Sequence, residues 1–155
     1  MMVNVISYNE AMTLLESLRL IASTGCGIQI GSFLLLSLFH KPLLEAWPEN
    51  IEHLWLFKRF YRFNLFISLI SGVLAIFGES RETGFLLAIL GMTYALLLTH
   101  LLPSVIHQHQ QIQSGVSQKL KRSPTEILQI LKKLQIIIHF SQLLLLFYLV
   151  NQLMQ

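Results

Sequence analysis

Hydrophobic residues in this chain are concentrated in four long stretches that are almost free of charge. They cover about residues 20–40, 62–78, 84–103 and 133–152. A helix needs about 20 apolar residues to cross the hydrocarbon core of a bilayer, and a backbone in that medium must satisfy its own hydrogen bonds. The pattern therefore predicts an all-α integral membrane protein, a four-helix bundle formed by one transmembrane domain over residues 1–155.

The composition favours a bilayer over water as the surroundings of this domain. Charged residues make up 12% of the 155 positions and hydrophobic residues 54%, with a mean hydropathy of +0.60. A soluble domain carries about 25% charged residues. The single cysteine, Cys26, excludes an internal disulfide and a cysteine-based zinc site. The basic residues flank the apolar stretches without forming a patch, so the lipid bilayer is the expected partner and nucleic acid is not.

Basic residues are distributed unevenly between the two sides of the predicted bundle. The loop over residues 41–62 holds four of them, and the loop over residues 104–132 holds five when Lys133 at its edge is counted, which is nine of the eleven in the chain. Basic loops face the cytoplasm. We therefore expect a multi-pass protein of a bacterial inner membrane with both termini outside, and an amphipathic lead-in at residues 1–17 on the outer surface.

The loop before the fourth span contains a helix start of its own. The sequence Ser123-Pro124-Thr125-Glu126 has a capping serine, a proline at the first helical position and a glutamate that can close a capping box. Apolar residues then continue at helical spacing into the fourth span. The fourth helix is therefore predicted to begin near Pro124, whereas Pro103 is expected to end the third.

Small residues recur at helical spacing in the first three spans. Helices in lipid associate where such residues let their backbones approach closely. The candidate packing positions are Gly27 and Gly31 in the first span, Gly72 in the second, and Gly84, Ala88, Gly91 and Ala95 in the third. They predict tight packing of the first three helices against one another. The alternative is a homo-oligomer formed through the Gly27 and Gly31 face.

Polar residues within the spans form a candidate intramembrane site. The predicted topology places His40, His100 and His139, on three different helices, in the same leaflet. The other candidates are Gln29, Ser141 and Gln142. Ionisable residues inside a membrane are functional candidates by default, although a single interhelical hydrogen bond also explains a buried histidine. We expect His139 to face the interior with His100 in reach, and His107 and His109 to be wet and dispensable.

A metal or heme site is the sharper alternative for two of these histidines. Neutral imidazole is a ligand for heme iron and for copper. His100 and His139 face each other across the predicted bundle at similar depth, so they are the candidate ligands for heme b or copper. The main interpretation predicts no cofactor, because hydrogen bonding or water at the helix ends accounts for every histidine.

Four short motifs resemble a known membrane family. They are "GIQIGSFLL" with Gly27 and Gln29, "LWLFKRFYRF", "LLLTHLLPSVIHQHQQI" with Pro103, and "IIHFSQLLLL" with His139 and Ser141. Together they resemble the four-span family of transmembrane protein 205 and its bacterial relatives, over about residues 18–152. The resemblance implies the same four-span fold and carries no biochemical activity with it.

The residues therefore predict a small polytopic membrane protein in an accessory, binding or transport-related role. No phosphate loop, zinc-protease motif or hydrolase motif is present, so no reaction can be derived from the sequence. The alternative function is a heme- or copper-binding membrane oxidoreductase that uses the helix-borne histidines.

Overall fold

Long helices account for nearly all of the chain that the structure describes. The computed structural model describes the backbone of residues 2–45, 53–78, 80–114 and 123–154, and side chains within residues 10–36, 55–78, 80–112 and 123–154. The helices are α1 (Met2–Glu45), α2 (His53–Phe77), α3 (Arg81–Leu96), α4 (Leu102–Ser114) and α5 (Pro124–Leu153). A π-helical turn, Leu97–Leu101, joins α3 to α4, so these three elements form one long helix.

Four helical segments are long and apolar enough to cross a membrane. They are Glu10–Leu36, Trp55–Phe77, Arg81–Ile112 and Pro124–Leu153. Large apolar side chains such as Phe66, Phe85 and Phe140 point outward from the bundle. An apolar exterior is the stable arrangement when lipid is the solvent. The prediction of an all-α, multi-pass four-helix bundle is confirmed.

The first helix begins much earlier than its apolar stretch. The sequence predicts an amphipathic lead-in at residues 1–17, and α1 runs through these positions without a break from Met2. No proline or glycine interrupts residues 2–24, and the Thr13 and Ser17 hydroxyls donate to carbonyls three and four residues back. Arg19 then donates from Nε to the Gly78 carbonyl at 2.8 Å. The part of α1 around Arg19 is therefore bonded to the end of α2.

The third helix does not end at Pro103, which corrects the prediction of a loop over residues 104–132. The backbone N–H of Leu102 bonds to the Leu97 carbonyl, five residues back, and the helix continues to Ser114. In a regular α-helix the proline ring would clash with the carbonyl of Thr99. The wider π-helical turn is a recognised way to relieve such strain, so the helix passes the proline instead of stopping.

The start of α5 has the predicted capping box. The Glu126 N–H donates to Ser123 Oγ, and the Ser123 N–H donates to Glu126 Oε2, both at 3.3 Å. Pro124 occupies the first helical position, where its missing N–H costs nothing. The predicted helix start is confirmed, and α5 accordingly extends well beyond the apolar stretch in the sequence.

Helices α2 and α3 pack most closely, through Gly72 and Gly84. A Cβ atom added at Gly84 would meet the Gly72 carbonyl oxygen at 2.8 Å and would overlap Ile76. Gly91 also faces α2, with the nearest atoms of Leu69 and Ser68 at 3.6 Å from a Cβ placed there. Ala88 and Ala95, the other two predicted packing positions in this helix, are half-buried. These contacts agree with the predicted use of small residues in α3.

The small residues of α1 do not pack as the sequence predicts. Nothing lies within 4 Å of a Cβ added at Gly27 or at Gly31, whereas one added at Gly25 would collide with Ser71 of α2. The reason lies in Gln29, whose amide is fully buried. Positions 27 and 31 lie about 200° around the helix from residue 29, so burying the amide turns both glycines outward. A dimer through this outward face stays a prediction.

Candidate intramembrane polar site

A layer of uncharged polar side chains crosses the bundle near the middle of the spans. All four spans contribute to this polar layer, which consists of Gln29 from α1, Ser68 from α2, Thr93 and Tyr94 from α3, and Gln142 from α5. Gln29 Oε1 accepts hydrogen bonds from the Ser68 hydroxyl at 3.1 Å and from the Tyr94 hydroxyl at 3.5 Å. One amide oxygen therefore connects three helices.

The amide of Gln142 connects α5 to α3, and its orientation is determined by its neighbour. The Thr93 hydroxyl has one hydrogen, which it donates to the Leu90 carbonyl at 2.7 Å. Thr93 Oγ1 must therefore accept from Gln142, so the Gln142 atom that bonds it is the Nε2 donor. Gln142 Oε1 then has no hydrogen-bond partner among the residues that the structure describes, although only 3% of Gln142 is exposed.

In the described structure, Gln29 has an unsatisfied donor, whereas Gln142 has an unsatisfied acceptor. Gln29 Oε1 takes both hydroxyl donors, and Gln29 Nε2 has no acceptor within the described part of the chain. The polar layer thus contains one buried acceptor and one buried donor that the described residues leave unsatisfied. Orphaned polar atoms of this kind are uncommon in folded proteins and call for a partner.

A groove beside Gln142 opens between α3 and α5. Its volume is about 220 Å³. The lining is mostly apolar, with Thr93 and Gln142 at its polar end, and consists of Leu90, Thr93, Ile137, Ile138, Ser141, Gln142 and Leu145. The Ser141 hydroxyl already donates to the Ile137 carbonyl at 3.0 Å, as expected for a serine in an apolar helix. The groove is therefore an apolar cleft that borders the buried side chain of Gln142.

Polar contacts continue from this layer toward the start of α2. Asn64 is fully buried, donates from Nδ2 to the Phe60 carbonyl at 3.0 Å, and accepts from the Ser32 hydroxyl at 3.1 Å. Farther along, Gln135 of α5 donates from Nε2 to the Tyr61 hydroxyl at 2.7 Å. The Asn64–Phe60 bond lies within α2, and the other two bonds join different helices. Interhelical hydrogen bonds therefore extend from the polar layer toward the start of α2.

His139 lies in an aromatic enclosure and faces the interior. Its ring centroid is 5.5 Å from that of Phe33, 6.1 Å from Phe60 and 5.6 Å from Tyr61. These three rings come from α1 and α2, so the His139 side chain points from α5 toward the interior of the bundle. This position agrees with the orientation that the sequence predicts for His139.

Of the other two predicted histidines, His100 does not join this enclosure. The His100 side chain is exposed and projects from the π-helical turn, whereas Leu97 and Leu101 of the same turn face inward. The side chain of His40 lies outside the described residues. Among the described side chains, no group of three histidine, cysteine, aspartate or glutamate residues could hold a metal ion. The interior site is therefore built around amides and hydroxyls.

His109 corrects the expectation that both histidines beyond Pro103 are wet. His107 is exposed and bonds Gln111 at 3.0 Å, as predicted for a surface position. His109, in contrast, is only 4% exposed and lies close enough to Lys132 of α5 to interact with its charge. The cause is the uninterrupted helix: because α4 continues past Pro103, it packs against the first turns of α5.

Sequence reasoning identified the two amides of the polar layer and missed their partners. Gln29 and Gln142 stand out as amides within apolar stretches, but Ser68, Thr93 and Tyr94 are ordinary residues in a membrane helix. A signal was available in α2, where Asn64, Ser68 and Ser71 recur at spacings of four and three and are all buried. Polar residues on one helical face indicate an interior that can satisfy them.

The layer contains no charged side chain. Its members can donate and accept hydrogen bonds, but they provide neither a carboxylate nor an amine to bind an ion or carry a proton. No protein-family model, curated protein or solved structure matches the chain. The resemblance to the transmembrane protein 205 family accordingly stays a prediction.

Proposed function

We propose that this protein is a membrane binding protein for an uncharged, lipid-soluble molecule that carries a hydrogen-bond donor. The ligand lies in the groove between α3 and α5, and its hydroxyl or N–H group bonds Gln142 Oε1. The observation that supports this proposal is the buried oxygen of Gln142, which the described residues leave without a donor. The role is accessory or transport-related, since the layer offers binding groups and no reacting ones.

The free energy of an unsatisfied carbonyl supports the choice of ligand. A buried polar group without a hydrogen bond costs about 1–3 kcal/mol. In a bilayer core no water is present to reduce this cost. A hydroxyl-bearing lipophile can enter the groove from the membrane, place its chain against Leu90 and Leu145, and donate to Gln142. A molecule with a hydrogen-bond acceptor alone gains nothing at that oxygen.

The test compares two probes that differ by one donor. Purified protein in nanodiscs is heated with 1-dodecanol or with dodecyl methyl ether, and the melting temperature is followed. We expect the alcohol to stabilise the protein more than the ether. The difference should disappear in Gln142→Met, which keeps the length of the side chain, and persist in Ser141→Ala. Equal stabilisation of the unmodified protein by both probes would overturn the proposal.

We further propose an orientation and a membrane for the protein. Nine of the eleven Lys and Arg residues lie in the connections between spans one and two and between spans three and four, or in the adjoining parts of α2 and α5. This bias supports a bacterial inner membrane location with those loops in the cytoplasm and both termini outside. A phosphatase that is active only in the periplasm, fused after Gln155, should therefore give activity. Fluorescence from a reporter that folds only in the cytoplasm, fused at the same point, would contradict this orientation.

A further inference from the structure

A second groove lies between α1 and α2, near the start of α2. Its volume is about 360 Å³. Six of its lining side chains are apolar or have only a small hydroxyl, and the seventh is Arg59; the set is Ser32, Leu35, Leu36, Leu56, Arg59, Phe60 and Phe63. A cleft of this kind on the lipid-facing side accommodates a hydrocarbon chain. Arg59 adds a positive charge to this lining, and a hydrocarbon chain alone would have no use for that charge.

The guanidinium of Arg59 is held in place by an aromatic ring. Its central carbon lies 3.5 Å from the centroid of the Trp55 ring. A cation stacked in this way keeps its N–H groups free at the edge of the plane. Trp55 is itself exposed, as expected for a tryptophan at the level of lipid headgroups. The stacked pair therefore marks the depth at which the groove meets the headgroup region.

Two further cations accompany Arg59. Lys58 and Arg62 are exposed on the same first turns of α2. Within the described part of the chain, none of the three forms an ion pair with a carboxylate. Arg59 lines the apolar groove, and the other two cations add positive charge to the same turns of α2. The complementary partner has a negative headgroup and an acyl chain.

We infer that this groove binds an anionic phospholipid. Its acyl chain packs on Leu35, Leu36 and Phe63, and its phosphate accepts hydrogen bonds from the Arg59 guanidinium. The planar guanidinium suits two phosphate oxygens at once. Lys58 and Arg62 favour a headgroup with net negative charge over a zwitterionic one. The inference is independent of the groove at Gln142, which lies between a different pair of helices.

The experiment measures which lipid stays bound. Protein reconstituted in equal amounts of phosphatidylglycerol and phosphatidylcholine is transferred to detergent, and retained lipids are counted by native mass spectrometry. We expect retention of phosphatidylglycerol over phosphatidylcholine. Removing one interfacial cation should reduce that preference about fivefold in Arg59→Gln. The matched control is Arg81→Gln, an exposed arginine at the start of α3 on the other side of the membrane.

A second variant tests the groove without touching the charge. Leu35 lines the groove and is exposed, so Leu35→Trp fills the cleft and leaves the interior packing alone. We expect Leu35→Trp to lose the retained lipid even though Arg59 remains. Equal retention of the two phospholipids by the unmodified protein would overturn the inference. So would an equal loss of preference in Arg59→Gln and Arg81→Gln, because a diffuse charge effect would then suffice.

Discussion

Replacing Gly84 with alanine perturbs the close backbone contact between α2 and α3. A methyl group at this position would lie 2.8 Å from the Gly72 carbonyl oxygen and would overlap the side chain of Ile76. The side chain can move, but the carbonyl belongs to the backbone of α2 and cannot move without shifting that helix. The substitution should therefore separate α2 from α3 along this contact.

The size of the effect follows from comparison with a glycine that has space around it. Overpacking of a tight interior site costs about 1–3 kcal/mol. Alanine also stabilises a helix by about 0.5–1 kcal/mol relative to glycine, which partly conceals that cost. Gly27→Ala provides the second contribution alone, since nothing lies within 4 Å of its new methyl group. The difference between the two variants is therefore about 1–3 kcal/mol, or about 5- to 140-fold in the unfolding equilibrium constant.

Reversible unfolding in mixed micelles provides the measurement. The two alanine variants are titrated with a denaturing detergent, and the loss of helix is followed by circular dichroism. Gly84→Ala should unfold at lower detergent than Gly27→Ala. Equal midpoints would show that α2 and α3 do not approach at Gly84 as described, and the account of their packing would be refuted.

Three further substitutions test other parts of the structure by the same titration or by labelling. Ser123→Ala removes one half of the capping box and should destabilise the protein by about 1 kcal/mol; an unchanged midpoint would mean that the start of α5 contributes nothing. Tyr61→Phe leaves the Gln135 donor unpaired and should cost about 1–3 kcal/mol, a loss that added Gln135→Leu should largely reverse. Pro103→Ala should convert the π-helical turn into α-helix, so that a thiol reagent modifies a cysteine placed at position 109 faster; continued protection would contradict the role given to the proline.

The fold is readable from the sequence because lipid leaves few alternatives. Long apolar stretches must be helical to satisfy their own backbone, and this requirement applies before any tertiary contact is known. The start of α5 is equally local, since Ser123 and Glu126 bond each other. Such features depend on neighbours within a few positions and are predictable for that reason.

The rotation of α1 is not local, and the prediction for it failed. Gly27 and Gly31 have the spacing of a packing face, but the same helix also carries Gln29, which needs partners. The two requirements cannot be met together because they lie on opposite sides of the helix. An unsatisfied amide in hydrocarbon is costlier than the lost contact of two glycines, so Gln29 determines the rotation.

The sequence indicates the two amides of the polar layer, but it does not indicate which side chains they bond. Ser68 lies 39 positions from Gln29, and Thr93 lies 49 positions from Gln142. Nothing in the local sequence indicates which hydroxyl meets which amide, since that depends on the vertical alignment of helices. His109 shows the same limitation, because its burial depends on the helix continuing through Pro103.

The π-helical turn also decides which of two adjacent residues α4 presents to the interior. Starting from buried Tyr94 and stepping about 3.6 residues per turn, an unbroken α-helix would bring Gln108 to the inner face. The five-residue bond at Leu97 takes up one extra residue, so His109 arrives there instead. The π-helical turn thus shifts the helical register of all later residues by one position. Relaxing this turn to a regular α-helix would replace the buried imidazole with the amide of Gln108 at the far end, whereas deleting one residue from the turn would keep His109 on the inner face.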